Sequence, residues 1–318
     1  MFGRNYDYGF GDGAVLLNPR GMQKRSLVDK SPAHWTSRYG SLTFNQYGRD
    51  NPMGGVNERG LVVELMWLDE TRYPEPDSRP AVATLEYIQY LLDNYATVEE
   101  ALEGSKRIRI GTRTPLHYLV ADKSGDVATI EFLEGRRVVH RGDTLPNPVL
   151  ANSTYEKSLE HLKGRQSQGA AGPAFTSGSL DRFAQAAQRV AALERDKATQ
   201  LVEKSFGILD EVKQSSHTKW QVVYDLPRGT VHWRTSANSE RRAIRFDALD
   251  FACGNARILD IDEGRGDVTA ALAPYSPQAN ERMMLTAFAK SPQFGWTPDR
   301  ARAEAHRIET TRRCTRTG

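Results

Sequence analysis

Leu116-His117-Tyr118-Leu119-Val120-Ala121 and Val127-Ala128-Thr129-Ile130-Glu131-Phe132-Leu133 stand on either side of Asp122-Lys123-Ser124-Gly125-Asp126. Two runs rich in β-branched and aromatic residues around five polar turn formers predict an antiparallel hairpin. A further short strand is expected over 137–140, after the turn at Glu134-Gly135. The same logic gives strands over 220–226 and 230–235, joined by Pro227-Arg228-Gly229, and a third over 243–249. Upstream, Gly13-Ala14-Val15-Leu16-Leu17-Asn18-Pro19 is an apolar run closed by Asn-Pro, and 39–47 alternates like a half-buried strand. The turn chemistry of Gly54-Gly55-Val56-Asn57-Glu58-Arg59-Gly60 feeds a β-like run over 61–68, interrupted by Glu64.

Helices separate these groups. After the loop marked by Pro74, Pro76 and Pro80, residues 84–95 place Leu85, Ile88, Leu91 and Leu92 at helical spacing, and Thr97-Val98-Glu99-Glu100 reads as a capping box. Further helices are expected from 152–154 to about 162, over 180–193 and over 199–209, with 164–178 a polar surface loop. A helical, arginine-rich segment ends the sequence. Strands joined by tight turns and alternating with helix groups predict a layered α+β architecture with mainly antiparallel sheets, not a Rossmann alternation.

Composition narrows function by exclusion. The 318 residues carry 43 Lys+Arg against 40 Asp+Glu, so the charge is nearly balanced and a nucleic-acid binder is not indicated. An interaction protein using the arginine-rich 300–318 is the weakest of the readings. Two cysteines, Cys253 and Cys314, exclude a disulfide scaffold and a cysteine-cluster zinc site. Cys253 is expected to be a buried, inert thiol, and Cys314 to lie in a mobile tail. The seven histidines lack metal-ligand spacing, and no G-x-S-x-G elbow is present. Gly9-Phe10-Gly11-Asp12-Gly13 precedes a strand and lacks the Lys-Ser/Thr of a phosphate loop, so it reads as a turn. No run is long and apolar enough to span a membrane, and no signal peptide opens the sequence as written, which then reads as cytoplasmic.

Five segments, in order, carry a more specific signal. Phe2-Gly3-Arg4-Asn5-Tyr6-Asp7-Tyr8, Gly55-Val56-Asn57-Glu58-Arg59-Gly60-Leu61, Val149-Leu150-Ala151-Asn152-Ser153, Ser179-Leu180-Asp181-Arg182-Phe183 and Val231-His232-Trp233-Arg234-Thr235 together resemble the choloylglycine hydrolase and penicillin V acylase family of N-terminal-nucleophile enzymes. The resemblance implies an αββα sandwich: two antiparallel sheets face to face with helices outside, in one domain spanning 1–318, with a core over about 2–250 and a basic helical segment over about 280–318. It implies hydrolysis of linear amides in N-acyl compounds such as conjugated bile salts, penicillin V or acyl-homoserine lactones. A cysteine whose own α-amine serves as general base would be the nucleophile. No cofactor, metal, nucleic acid or membrane is implied, and homo-oligomers occur in the family.

Roles follow from the matched positions. Arg4 would favour the thiolate, Asp7 would orient the α-amine, Asn57 and Asn152 would form the oxyanion hole, and Arg234 would be a second arginine near the nucleophile. Taken singly, the same residues read as an ion pair, a turn residue, a helix cap and an exposed strand residue. Trp67, Tyr73 and Phe44 are candidates for an apolar acyl pocket, and equally for core or loop packing. The nucleophilic cysteine itself is missing from the matched segment. The expectation is a sequence that begins inside the family's second strand, with the cysteine and any export signal on a piece before it. These 318 residues alone are then expected to be inactive. The alternative is a catalytically dead homologue that binds acylated ligands.

Overall fold

The computed structural model describes residues 1–168, 174–193 and 200–315. Its first part holds β1 (Phe2–Asp7), β2 (Ala14–Asn18), β3 (Met22–Arg25), β4 (His34–Thr36), β5 (Ser41–Asn45), β6 (Pro52–Asn57), β7 (Val62–Trp67) and the short β8 (Ala81–Val82). Helices α1 (Glu86–Asn94) and α2 (Val98–Gly104) precede β9 (Arg109–Ile110), β10 (Leu116–Ala121), β11 (Val127–Leu133) and β12 (Arg136–Arg141). Three helices follow, α3 (Tyr155–Gln168), α4 (Ser179–Ala191) and α5 (Leu201–Glu211). They lead into β13 (Thr218–Asp225), β14 (Thr230–Thr235), β15 (Arg242–Arg245), β16 (Arg257–Asp260), β17 (Gly266–Asp267) and β18 (Ala273–Pro274). Helices α6 (Pro277–Ala289) and α7 (Pro298–Thr310) and strand β19 (Arg312–Cys314) close the described chain.

The 116–133 hairpin forms as expected, with Ala121 opposite Val127, and belongs to a nine-stranded sheet ordered β12-β11-β10-β7-β6-β5-β2-β16-β18. A second sheet has the order β1-β13-β14-β15-β17, antiparallel except for its last pair. The two sheets face each other. Tyr6, Trp220, Val222, Tyr224 and Trp233 of one interdigitate with Val15, Leu42, Phe44, Val56 and Val62 of the other. The period-2 alternation in β14 selects Val231 and Trp233 for this interior and sends His232 and Arg234 to the opposite face. Helices α1 and α2 cover the outer face of the large sheet through Ile88, Leu91, Leu92 and Val98. Helix α5 covers the smaller one, with Phe206 and Leu209 against Val223. The layering is the αββα sandwich.

Three details depart from expectation. Strand β5 is buried on both faces, because its sheet is covered by the other sheet on one side and by helix α1 on the other. The Thr97 hydroxyl does accept the Glu100 N–H at 3.2 Å, but the Glu100 carboxylate takes the N–H of Ala96, one residue before the cap. The last described element is a strand: β19 pairs with β3, and Cys314 is disulfide-bonded to Cys253, with Cα atoms 5.7 Å apart. The expected inert thiol and mobile tail are corrected by that bond. Parts of 164–178, the start of the 199–209 helix and Arg316 fall outside the described residues.

Candidate active site

Strand β1 lies at the edge of the smaller sheet, hydrogen-bonded to β13 on one side only. Its residues line a cavity of about 1040 Å³ that runs between the sheets and out toward α4, α6 and α7. Apolar side chains form much of the wall, among them Met66, Leu85, Leu119, Leu150 and Phe288. Trp67 is the large apolar residue most exposed there, at 48%.

Arg4 alternates inward on β1 with Phe2 and Tyr6 and is buried. Its Nη1 sits 2.7 Å from the Glu64 carboxylate and donates to the Met53 carbonyl at 2.7 Å. The Tyr224 hydroxyl donates to the other Glu64 oxygen at 2.5 Å. Burial pushes the Glu64 carboxyl up to about 7, against the pull of Arg4 and Tyr224 in the other direction. Gly54 makes room for this acid: a Cβ there would stand 1.8 Å from Glu64 Oε2.

Asp7 ends β1 and accepts from the Thr218 hydroxyl and from Gln214 Nε2 at 3.0 Å. Arg182, on the first turn of α4, stands 3.7 Å from Asp7 Oδ2 and donates to Asn152 Oδ1 at 2.7 Å. Burial lowers the Arg182 pKa, which the Asp7 charge partly offsets. Asn152 is held in one orientation. Its N–H bonds Ser179 Oγ at 2.8 Å, and its Nδ2 donates to the Trp67 carbonyl at 3.0 Å. One Nδ2 hydrogen therefore remains for a group in the cavity.

Arg4, Asp7 and Asn152 thus all line the cavity, the last two joined through Arg182. Two expected members do not. Asn57 is fully buried in the β6–β7 turn: its Oδ1 accepts from Arg59 and Leu61 N–H, its Nδ2 donates to the Leu92 and Tyr95 carbonyls, and its own N–H bonds Leu61. Every donor it could offer an oxyanion is already used within the fold. Arg234 points to the helix-covered face, where it pairs with Asp210 at 2.7 Å, bonds Gln221 at 2.7 Å and stacks over Phe206. Of the acyl-pocket candidates, Trp67 lines the cavity, whereas Phe44 packs between the sheets and Tyr73 packs on Phe132. Glu64 and Arg182 were not anticipated. An acid inside an apolar strand was the available signal for the first, and the Ser179–Phe183 segment for the second. Neither cysteine lines the cavity.

Among the described residues no group of His, Cys, Asp or Glu is arranged to hold a metal ion, and no helix is long and apolar enough to cross a membrane.

Comparison with known proteins gives the family and the fold. Residues 1–258 match a family model described as linear amide C-N hydrolases, choloylglycine hydrolase family. A penicillin V acylase of Pectobacterium atrosepticum is 28% identical over 270 residues, covering 74% of this chain and 70% of that protein. A bile salt hydrolase/transferase of Lactiplantibacillus plantarum is 23% identical over 290 residues, covering 77% of this chain and 89% of that protein. Among solved structures, penicillin V acylase from Agrobacterium tumefaciens superposes with a TM-score of 0.78 at 26% identity, covering 86% of this chain and 93% of that one.

Proposed function

Since this chain belongs to the choloylglycine hydrolase family of linear amide C-N hydrolases, we propose that its cavity binds the acyl part of an N-acyl amide and that Arg4, Asp7, Arg182 and Asn152 surround the reacting carbonyl. The observation that carries this is that those four polar side chains, one with an unused donor hydrogen, line one largely apolar cavity.

The nucleophile is a thiol with a free α-amine, carried on a strand outside these 318 residues. Cys253 and Cys314 are bonded to each other away from the cavity, and the open edge of β1 offers unpaired backbone groups for one more strand beside Arg4. The α-amine takes the thiol proton, and Asp7 fixes its orientation. The Arg4 guanidinium favours the thiolate. Attack on the amide carbon places negative charge on the carbonyl oxygen, which the second Nδ2 hydrogen of Asn152 meets. A donor of this kind contributes about 2.7–4 kcal/mol in the transition state. Collapse expels the amine, which receives the proton held by the α-ammonium. Water, deprotonated by the same α-amine, then releases the acid and regenerates the thiol.

Likeness to a penicillin V acylase and a bile salt hydrolase makes penicillin V and conjugated bile salts the first amides to try, with acyl-homoserine lactones, which the family resemblance suggests, completing the panel. The Cys253–Cys314 bond favours an oxidising compartment over the cytoplasm. The test adds a strand beginning with an exposed Cys ahead of β1 and assays this panel beside the Cys→Ala form. Turnover by the completed protein alone, with the 318 residues and the Ala form silent, is the expected result. A completed protein that cleaves nothing on the panel, or turnover by the 318 residues themselves, would sink the proposal.

A further inference from the structure

Behind Asn152 lies a buried cluster that the chemistry above does not use. His117 of β10 and Glu131 of β11 are both fully buried. His117 Nδ1 is 3.1 Å from Glu131 Oε1, and its Nε2 is 2.7 Å from the Ala151 carbonyl oxygen. Both ring nitrogens therefore face acceptors. A neutral imidazole has one N–H and one lone pair, and would set that lone pair against either a carboxylate or a carbonyl. Both contacts are satisfied when Nε2 carries the hydrogen given to Ala151 and one further proton lies between Nδ1 and Glu131.

The same carboxylate reaches the other end of the segment. Both Glu131 oxygens accept the Tyr155 N–H, at 3.1 and 3.2 Å, where α3 begins. The remaining titratable neighbour is His140, with Nε2 3.6 Å from Glu131 Oε2 and its ring against Tyr155. Burial alone would raise the Glu131 carboxyl. The His117 hydrogen bond, the nearby His140 ring, the His117 charge and the Tyr155 N–H outweigh it and bring it down to about 2. The strand-borne acid thus holds residue 151 through His117 and residue 155 directly. Asn152 lies between these two anchors, with its N–H on Ser179 Oγ and its amide tied to Arg182 and Trp67.

We infer that Glu131 and His117 act as positioning residues that suspend the 151–155 segment at both ends and so aim the Asn152 amide into the cavity. The inference rests on the amidase reading only for its catalytic consequence, since the clamp itself can be observed without turnover.

Nitrogen-15 NMR of the 318-residue chain near neutral pH needs no variant. We expect His117 Nε2 to carry the hydrogen given to the Ala151 carbonyl; a bare Nε2 would overturn the clamp. In Glu131→Gln, the Asn152 side-chain amide signals should move while the indole N–H of Trp35, bonded to Asp93 in another part of the fold, stays in place. Unmoved Asn152 signals would also overturn it. In the nucleophile-completed protein, Glu131→Gln should lower kcat on penicillin V by about ten- to a hundredfold with KM within about twofold, less than loss of the donor outright. An unchanged kcat would refute the positioning role. If the completed wild type turns over nothing, the amidase reading falls, and the two NMR results decide the clamp by themselves.

Discussion

Two buried charge networks in this molecule look alike in composition and differ in what they leave unspent. In the first, Lys24 Nζ lies 2.7 Å from Asp50 and 2.8 Å from Asp93, and Arg312 pairs with the second oxygen of Asp50. Trp35 and Gln89 donate to Asp93 as well. All four charged groups are buried, two of each sign, and the network ties β3, α1, the 45–52 connection and the terminal strand together. In the second network, Arg4–Glu64 and Asp7–Arg182–Asn152 border the cavity, and one Asn152 Nδ2 hydrogen is left for a group there. Burial and charge mark both. Only the second has unsatisfied hydrogen-bonding capacity facing a volume that a ligand can enter, and that difference separates a site from a brace.

The sharpest way to break the comparison is to remove one charge from the brace. Lys24→Met leaves two buried carboxylates without their shared cation and should cost about 3–5 kcal/mol in denaturant unfolding. A loss well under 1 kcal/mol would mean the network is not the brace described. Next in size is the disulfide that holds the same terminal strand. It closes a loop with a sequence separation of 61 residues, and Cys253→Ser with Cys314→Ser should cost roughly 4 kcal/mol on the chain-entropy account. The cavity network should respond in the opposite manner. Asn152→Ala is expected to change stability by less than about 1 kcal/mol, as for a half-exposed polar group. In the nucleophile-completed protein it should lower kcat by about 10²–10³. A comparable stability loss with little kinetic effect would erase the distinction between the networks.

The smallest effect concerns pH. The Glu64 pKa is raised in the folded protein, so this group's stabilisation is fully present below its ordinary value near 4.5 and is lost as pH rises through about 7. The slope cannot exceed one proton, about 1.4 kcal/mol per pH unit. Glu64→Gln should flatten that limb of the stability–pH curve. An unchanged limb would show that Glu64 is ionised throughout.

Much of the architecture was legible because period-2 and period-3.6 patterns report directly on which face of an element is buried. The 116–133 hairpin, the helix carrying Leu91 and Leu92, and the three strands after 217 all follow from them. Site membership was harder to read. An Asn in a turn can spend its amide and carbonyl on nearby backbone as readily as on a ligand, and Asn57 does so. Alternation in β14 placed Arg234 opposite Trp233, but no local pattern says which face of a sheet borders a cavity. Glu64 interrupts six residues of apolar strand, a placement that costs free energy unless a partner is present. That partner, Arg4, is 60 positions away, and no spacing rule connects the two. The pairing of Cys253 with Cys314 was hidden for the same reason.

The walls of the cavity come from both ends of the chain: Phe2 to Tyr8 on one side, Met284, Phe288 and Trp296 on another. Strand β1 finds its partner more than two hundred residues later, Phe2 opposite Tyr224. Contacts of such sequence separation form late and slowly. While the protein is being synthesised, β1 must wait for its β13 partner until more than two hundred further residues have emerged. The cavity cannot be enclosed until α6 and α7 have docked. Ligand-binding capacity should therefore be the last property to appear during refolding, after the secondary structure is already in place.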